Sequence, residues 1–560
     1  MLRILQKLFY QFQINNTMKK LLLIVFILST TFCFSQTLNI IPEPAKAEVK
    51  QGTFTITPET KIVYAAGDAE KSISFFNDYL KEYYGFELKS VKSKNDLKNV
   101  IQLDFKQMTS TIPGAYEINV SSDNVSISGD APGIFYGIQT LIQLLPPQKS
   151  TSLAVQQCSI VDSPRFAYRG LHLDCGRHFF SVDFIKQYID FIALHKMNTF
   201  HWHLTEDQGW RVEIKKYPKL TQIGSCRNGT IIGHHPGTGN DNKKDCGYYT
   251  QDQIKEVVKY AADRYITIIP EIEMPGHSSA AIAAYPQLSC FPNESTKIAK
   301  GVTWSGDSTG KQVQQSWGVY PDVFCPSDYT FKFLEDVLDE VMQLFPSKYI
   351  HIGGDECPKD YWKRSAFCQQ LIKDSGLNNE EGLQSYFIRK IERYLNSKGH
   401  SIIGWDEILE GGVAPNATVM SWRGEKGGIE AAKQHHTVIM TPTTYVYFDY
   451  SQQKTPDSLV IGGYLPVETV YKYEPLPAEL PADEQKYILG AQANVWTEYM
   501  SNPAKVEYMI FPRVTALSEV LWSPKDERNW DDFKNRLQTQ YKRYDFWKVS
   551  YNAKGIDRIN

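Results

Sequence analysis

The sequence lacks several features that would commit it to common classes. Neither charge dominates: 60 Lys and Arg face 63 Asp and Glu, a formal −3, so nothing marks nucleic acid as a partner. The apolar run at residues 21–34 is shorter than the roughly 20 residues a membrane helix needs, so no membrane span is expected in the mature chain. Cysteines number only nine, and no spacing among them resembles a zinc knuckle. No metal or organic cofactor is implied.

Apolar residues and aromatics are plentiful. At 560 residues and 42% apolar composition the chain can bury a large core divided over two or three domains. Aromatic residues make up 13%, with 11 Trp and 33 Tyr, a composition shared by many carbohydrate-active proteins, whose ligands stack C–H faces on aromatic planes.

Lys19 and Lys20, the apolar run and Ser35 read as a secretory signal over residues 1–35, with Met18 an alternative start. An exported protein, periplasmic or secreted, is expected; an uncleaved anchor is the rival reading, and Cys33 leaves a lipid-anchored form open. Cleavage would leave 56 basic against 63 acidic residues, a charge of −7, and eight cysteines. An even number in an exported chain permits disulfides, and Cys226–Cys246 and Cys290–Cys325 are the expected pairs.

Residues 37–163 read as a small α/β domain, with strands at 53–57, 61–65, 116–120 and 125–129 and helices at 69–84 and 131–145. Pro146-Pro147 stops the second helix, and residues 156–165 read as a linker. A strand–helix rhythm then sets in over residues 164–523. Strands are expected at 168–175, 198–205, 266–273, 349–353, 401–405, 418–422, 437–440 and 488–491, with a last helix at 505–521. Eight such strands predict a (β/α)8 TIM barrel of α/β class, preceded by the small α+β domain, with function at the strand C-termini. Residues 524–560 form a tail whose helix, 526–544, packs outside the barrel.

The strand ends collect acids, amides and aromatics. The fourth is the most specific: Tyr349-Ile350-His351-Ile352 is a buried run, broken by Gly353-Gly354 and followed by Asp355-Glu356. Successive side chains on a strand point to opposite faces, so these two carboxylates share a site only if the glycines let the chain leave the strand. The first strand carries Arg169 and ends at Asp174 and Arg177. The second ends in His201-Trp202-His203-Leu204-Thr205-Glu206-Asp207-Gln208-Gly209-Trp210-Arg211, and the third in Pro275-Gly276-His277. Trp405, Trp422, Tyr447 with Asp449, and Trp496-Thr497-Glu498 close the remaining four.

These motifs, in this order and over the whole mature chain, resemble family 20 glycoside hydrolases, the β-N-acetylhexosaminidases. The resemblance implies exo-acting, substrate-assisted, retaining hydrolysis of a terminal β-linked N-acetylhexosamine on a glycan. It assigns Glu356 as general acid and Asp355 as the carboxylate that orients the acetamide N–H. Tyr447 would hold the acetamide oxygen, and Trp405, Trp422 and Trp496 would box the sugar. Arg169, Asp449 and Glu498 would bind hydroxyls, while Asp207 and His277 support the acid. Where the family often has Asp-Asp, this chain has Glu206-Asp207; the functional carboxylate is placed at Asp207 and Glu206 reads as a tolerated change. Two other classes stay open: a non-catalytic sugar-binding relative, and a metal-dependent amidohydrolase-type barrel using His201 and His203. The Asp-x-x-Asp-x-Asp-x-Glu strand of family 18 chitinases does not occur.

Overall fold

Two layers are built from the alternating pattern of apolar residues. The structure, a computed structural model, describes residues 38–65, 69–93 and 98–555. The expected leader at 1–35 lies outside the described residues. Among those described, no helix is long and apolar enough to cross a membrane.

The first layer is a seven-stranded sheet: β1 Lys46–Ile56, β2 Lys61–Tyr64, β3 Lys89–Lys92, β4 Val100–Phe105, β5 Tyr116–Val120, β6 Asn124–Gly129 and β7 Leu153–Asp162. Their spatial order is β1-β7-β5-β6-β4-β2-β3. The stretch expected as a linker from residue 156 is instead mostly strand, because Leu153, Val155, Cys158 and Ile160 point into the core. The alternation slips at Gln156-Gln157, opposite an irregularity between Val49 and Thr53 on β1.

Helix Ala131–Leu144 covers this sheet. Asp130 caps it by accepting the Gly133 N–H at 2.7 Å, and Pro132 sits in its first turn. Gly133 is required there, since a Cβ would stand 2.1 Å from the Ala115 carbonyl oxygen. The seam against the barrel is polar but satisfied. Lys196 Nζ meets Asp162 Oδ2 at 3.0 Å, and the same oxygen accepts from Trp522 Nε1 at 2.9 Å.

The second layer is a closed parallel barrel of Tyr168–Asp174, Thr199–His203, Thr267–Glu271, Tyr349–His351, Ser401–Trp405, Thr418–Ser421, Val438–Met440 and Ile488–Ala493, each paired with its neighbours in sequence order. The expected last helix is two, Pro503–Ile510 and Arg513–Trp522. Pro512 has no N–H to continue the first ladder. The break sets Arg513 under the seventh strand's exit, where its guanidinium donates to the carbonyls of Phe448, Tyr450 and Leu465.

The tail helix, Trp530–Trp547, packs on both layers rather than on the barrel alone. Arg536 pairs with Glu519 at 2.6 Å, while Trp547 Nε1 donates to Tyr79 Oη at 2.9 Å and Arg543 to Gln143 O at 2.6 Å.

Candidate active site

At the C-terminal mouth of the barrel lies a cavity of about 400 Å³, within the range of small-molecule sites. Asp355, Glu356, His277, Trp405, Trp422, Tyr447, Asp449, Trp496 and Glu498 all line it, as expected from the strand ends.

The fourth strand is only three residues long, and the chain turns out of it on backbone that favours glycine. Gly353 and Gly354 have φ of 67° and 93°, and Glu356 itself has 42°. At Gly353 a Cβ would lie 1.8 Å from Glu273 Oε2, so the glycine also leaves room for that carboxyl. The turn brings Asp355 and Glu356 to the same wall.

A chain of charges runs behind that wall. His277 Nε2 is 3.5 Å from Glu356 Oε2 and 3.8 Å from Asp355 Oδ2. Its Nδ1 stands 3.1 Å from Asp207 Oδ2 and 3.2 Å from Glu206 Oε2. Asp207 is thus held behind the imidazole, not on the cavity wall, and it also accepts the Ser279 N–H at 2.8 Å. Glu206 is no passive replacement: its other oxygen meets Arg177 Nη2 at 2.7 Å.

Burial opposes a charged His277, but Glu206, Asp207 and Glu356 outweigh it and raise the imidazole well above its ordinary range. The hydrogen bond from His277 lowers Glu356. Burial, with Glu356 and Glu271 added, pushes Asp355 up to about 7 against the pull of His277.

The arginine of the pocket is Arg177, not Arg169. Arg169 is 1% exposed at the N-terminal end of the first strand and donates to Lys196 O at 2.8 Å, Phe166 O at 2.7 Å and Tyr136 Oη at 2.9 Å. Roughly 3.3 Å of rise per strand residue separates it from the mouth. Arg177 follows that strand's C-terminus, its guanidinium 5.1 Å from the Trp496 ring centroid.

Aromatic faces form the other walls. Trp405 and Trp496 have centroids 5.7 Å apart, and Trp422 stacks on Tyr447 at 6.1 Å. Their polar edges are spent on the protein: Trp405 Nε1 donates to Glu271 Oε1 at 2.9 Å and Trp422 Nε1 to Glu407 Oε2 at 2.8 Å. Trp317, Tyr450 and Tyr499 also line the cavity and come from loops with no strand pattern to announce them.

Several polar atoms on the wall have no protein partner. Asp355 Oδ1, Asp449 Oδ1, Glu498 Oε2 and Arg177 Nε are buried without a hydrogen bond among the described residues. Buried polar atoms are nearly always paired, so these are the positions a polar ligand would complete.

His201 and His203 do not reach the cavity. Both are fully buried around Glu271, His201 at 3.0 Å, and His201 also contacts Gln492 Nε2 at 2.9 Å. An amidohydrolase-type centre needs them at the mouth, so the geometry speaks against that reading.

Cys226 and Cys246 form a disulfide, as expected, clasping the rim loop that carries His235. Cys290 and Cys325 are not joined; both thiols are free, and the Cys290 sulfur stands 3.5 Å from that of Cys368.

Residues 166–525 match the family described as glycosyl hydrolase family 20, catalytic domain, and residues 37–163 match its domain 2. The chain is 44% identical to a β-hexosaminidase of Porphyromonas gingivalis over 93% of its own length, and spans 65% of that relative's length. It is 36% identical to a β-hexosaminidase of Vibrio furnissii, covering 86% of this chain and 76% of the relative. Among solved structures, a Vibrio harveyi exo-β-N-acetylglucosaminidase bound to N-acetylglucosamine superposes with TM-score 0.81 at 34% identity, over 92% of this chain and 78% of that one. A Streptomyces plicatus β-hexosaminidase with its product N-acetylglucosamine gives 0.78 at 28%, over 92% and 96%. With both family matches falling on the two layers described above, the chain belongs to glycosyl hydrolase family 20.

Proposed function

We propose that this chain is an exo-acting β-N-acetylhexosaminidase that removes terminal, non-reducing N-acetylglucosamine or N-acetylgalactosamine from glycans by substrate-assisted retaining hydrolysis. One observation carries the reading: a pocket with aromatic faces whose buried carboxylate oxygens on Asp355, Asp449 and Glu498 lack donors. A sugar bearing several hydroxyls and an amide N–H supplies those donors.

In this reading the acetamide N–H donates to Asp355 and its oxygen, held by Tyr447, attacks the anomeric carbon. As the glycosidic C–O bond breaks, Glu356 gives its proton to the departing oxygen. Asp355 offsets the positive charge that gathers on the ring so formed. Water then opens the ring, returning a proton to Glu356 and retaining the anomeric configuration. Arg177, Asp449 and Glu498 bind the hydroxyls at the far end.

Export of the mature chain fits the reading and is supported by the Cys226–Cys246 disulfide. The test is release of nitrophenol from the β-N-acetylglucosaminide, with strong inhibition by a thiazoline mimic of the cyclised intermediate. A thiazoline that binds no better than free N-acetylglucosamine overturns substrate assistance. Binding of sugar with no release at all would make the chain a sugar-binding relative.

A further inference from the structure

Three cysteines that the pocket does not use converge from separate stretches of chain. Cys290 follows the short turn Pro286–Leu288 and Cys325 lies near the end of the long loop after His277. Cys368 sits in the first turn of helix Ala366–Asp374, its N–H donating to Ser365 Oγ at 3.3 Å. The three sulfurs lie within 4.8 Å of one another, with Cys290 and Cys368 at 3.5 Å.

The surrounding structure holds them in place. Cys325 N donates to Leu288 O at 2.8 Å, which sets Cys325 beside the turn that carries Cys290. Trp362 Nε1 donates to Phe324 O at 3.1 Å and ties in the segment leading to Cys368. Val323, Trp362, Ile372 and Leu383 enclose the sulfurs in an apolar shell. A disulfide can use two of three thiols and leaves the third buried beside it.

Sulfurs bound in a trigonal set to a cation at about 2.3 Å stand roughly 4.0 Å apart, a spacing that lies inside the 4.8 Å limit of this cluster. Thiolates select soft d10 cations over Mg2+ or Ca2+. The N-terminal turn of a helix favours the thiolate form at Cys368.

We propose that Cys290, Cys325 and Cys368 form a three-thiolate site for one thiophilic cation, Zn2+ or Cu+. Three S–metal bonds form and the three thiol protons leave to solvent. The site would pin the loop that starts beside His277 to the helix that follows Asp355-Glu356. Cys357, next to Glu356, packs in the same apolar cluster, so occupancy would stiffen the wall that carries the acid.

The full chain, purified anaerobically without added thiol so that Cys226–Cys246 stays closed, is titrated with Cd2+ while thiolate-to-metal charge-transfer absorption is read. One equivalent is expected to bind. Cys290→Ser, Cys325→Ser and Cys368→Ser should each weaken binding by more than about a hundredfold, beyond the loss typical of an outer partner. Cys158→Ser, in the N-terminal sheet, should leave it unchanged. Competition by Zn2+ and Cu+ identifies the natural ion; displacement by neither overturns the site. So does Cd2+ binding indifferent to all three substitutions, or a disulfide between two of them in the anaerobic protein. If a serine variant fails to fold, alkylation of the wild type decides: Cd2+ shielding all three thiols supports the site, and unchanged alkylation refutes it.

Discussion

His277 Nε2 stands 3.5 Å from Glu356 Oε2, which puts an imidazole against the acid of the proposed reaction. In the free pocket the protons favour His277 and Asp355, while the reaction needs one on Glu356 and none on Asp355. Substrate binding must therefore redistribute them, and the His277–Glu356 contact is the short route.

Glu356→Gln removes the proton donor and leaves the acetamide nucleophile intact. Hydrolysis of a glycan linkage should fall by about 10²–10⁴-fold, and of a nitrophenyl glycoside by much less, because that leaving group needs little protonation. Asp355→Asn should instead slow both by a similar factor, about 10²–10³-fold. Rates over a series of phenols separate the two; equal leaving-group dependence in both variants would reverse the assignment.

The rate should depend on pH through the same groups. Asp355 must be ionised to hold the acetamide, so kcat/KM is expected to climb with pH through about 7. It should fall again at higher pH, once the proton shared by His277 and Glu356 is lost. In Asp355→Asn the acid limb should vanish from the residual activity.

Stability should carry the opposite sign. Folded Asp355 holds its proton more tightly than the unfolded chain does, so the stability it lends is full below its ordinary 3.8 and is lost as pH rises to about 7. Asn has no proton to lose. The melting temperature of Asp355→Asn should exceed the wild type by a margin that widens from pH 4 to about 7 and then stays level, read by calorimetry.

Glu206 joins the sugar-binding end to the acid end, with Arg177 at 2.7 Å and His277 at 3.2 Å. Glu206→Asp shortens that reach by one methylene. A loss of about 10–100-fold in kcat/KM is expected, as for other partners that orient a functional group. An unchanged rate would return Glu206 to the tolerated change the family pattern suggests.

Arg177→Ala should raise KM and cut kcat/KM per folded molecule, and should also lower the melting temperature, because Glu206 and Asp174 stay buried without their cation. Arg169→Ala should cost about 2–4 kcal/mol of stability through lost charged hydrogen bonds and leave KM unchanged. Titration of active sites separates folded fraction from rate per folded molecule. A high KM in Arg169→Ala would put that residue back at the site.

The barrel was legible because parallel strands buried on both faces read as apolar runs ending in polar residues. Lys89–Lys92 was not: all four residues of that edge strand are exposed, so no buried face shows in the pattern. β7 was hidden by Gln156-Gln157, where the alternation slips. Asp355-Glu356 could be placed from its glycines. Arg169 could not be told from Arg177 by residue type, although only Arg177 lies at the end where such barrels work. The contact of Glu206 with Arg177 could not be read, because it spans two strand ends that sequence spacing does not relate. Nor does any spacing show Cys368 meeting Cys290.

Glu271 accepts from or faces His201, His203, His351 and Trp405 at once, residues of three barrel strands other than its own. Trp405 is also the floor of the pocket, so the sugar platform is stitched to the middle of the barrel. Such a floor has no private opening reaction; it is released only when several strands separate together. Slowest amide exchange and ligand contact should therefore coincide at residues 401–405, while the rim loops exchange fast. On the proposed activity, the rim can vary for different leaving groups without loosening the seat of the sugar.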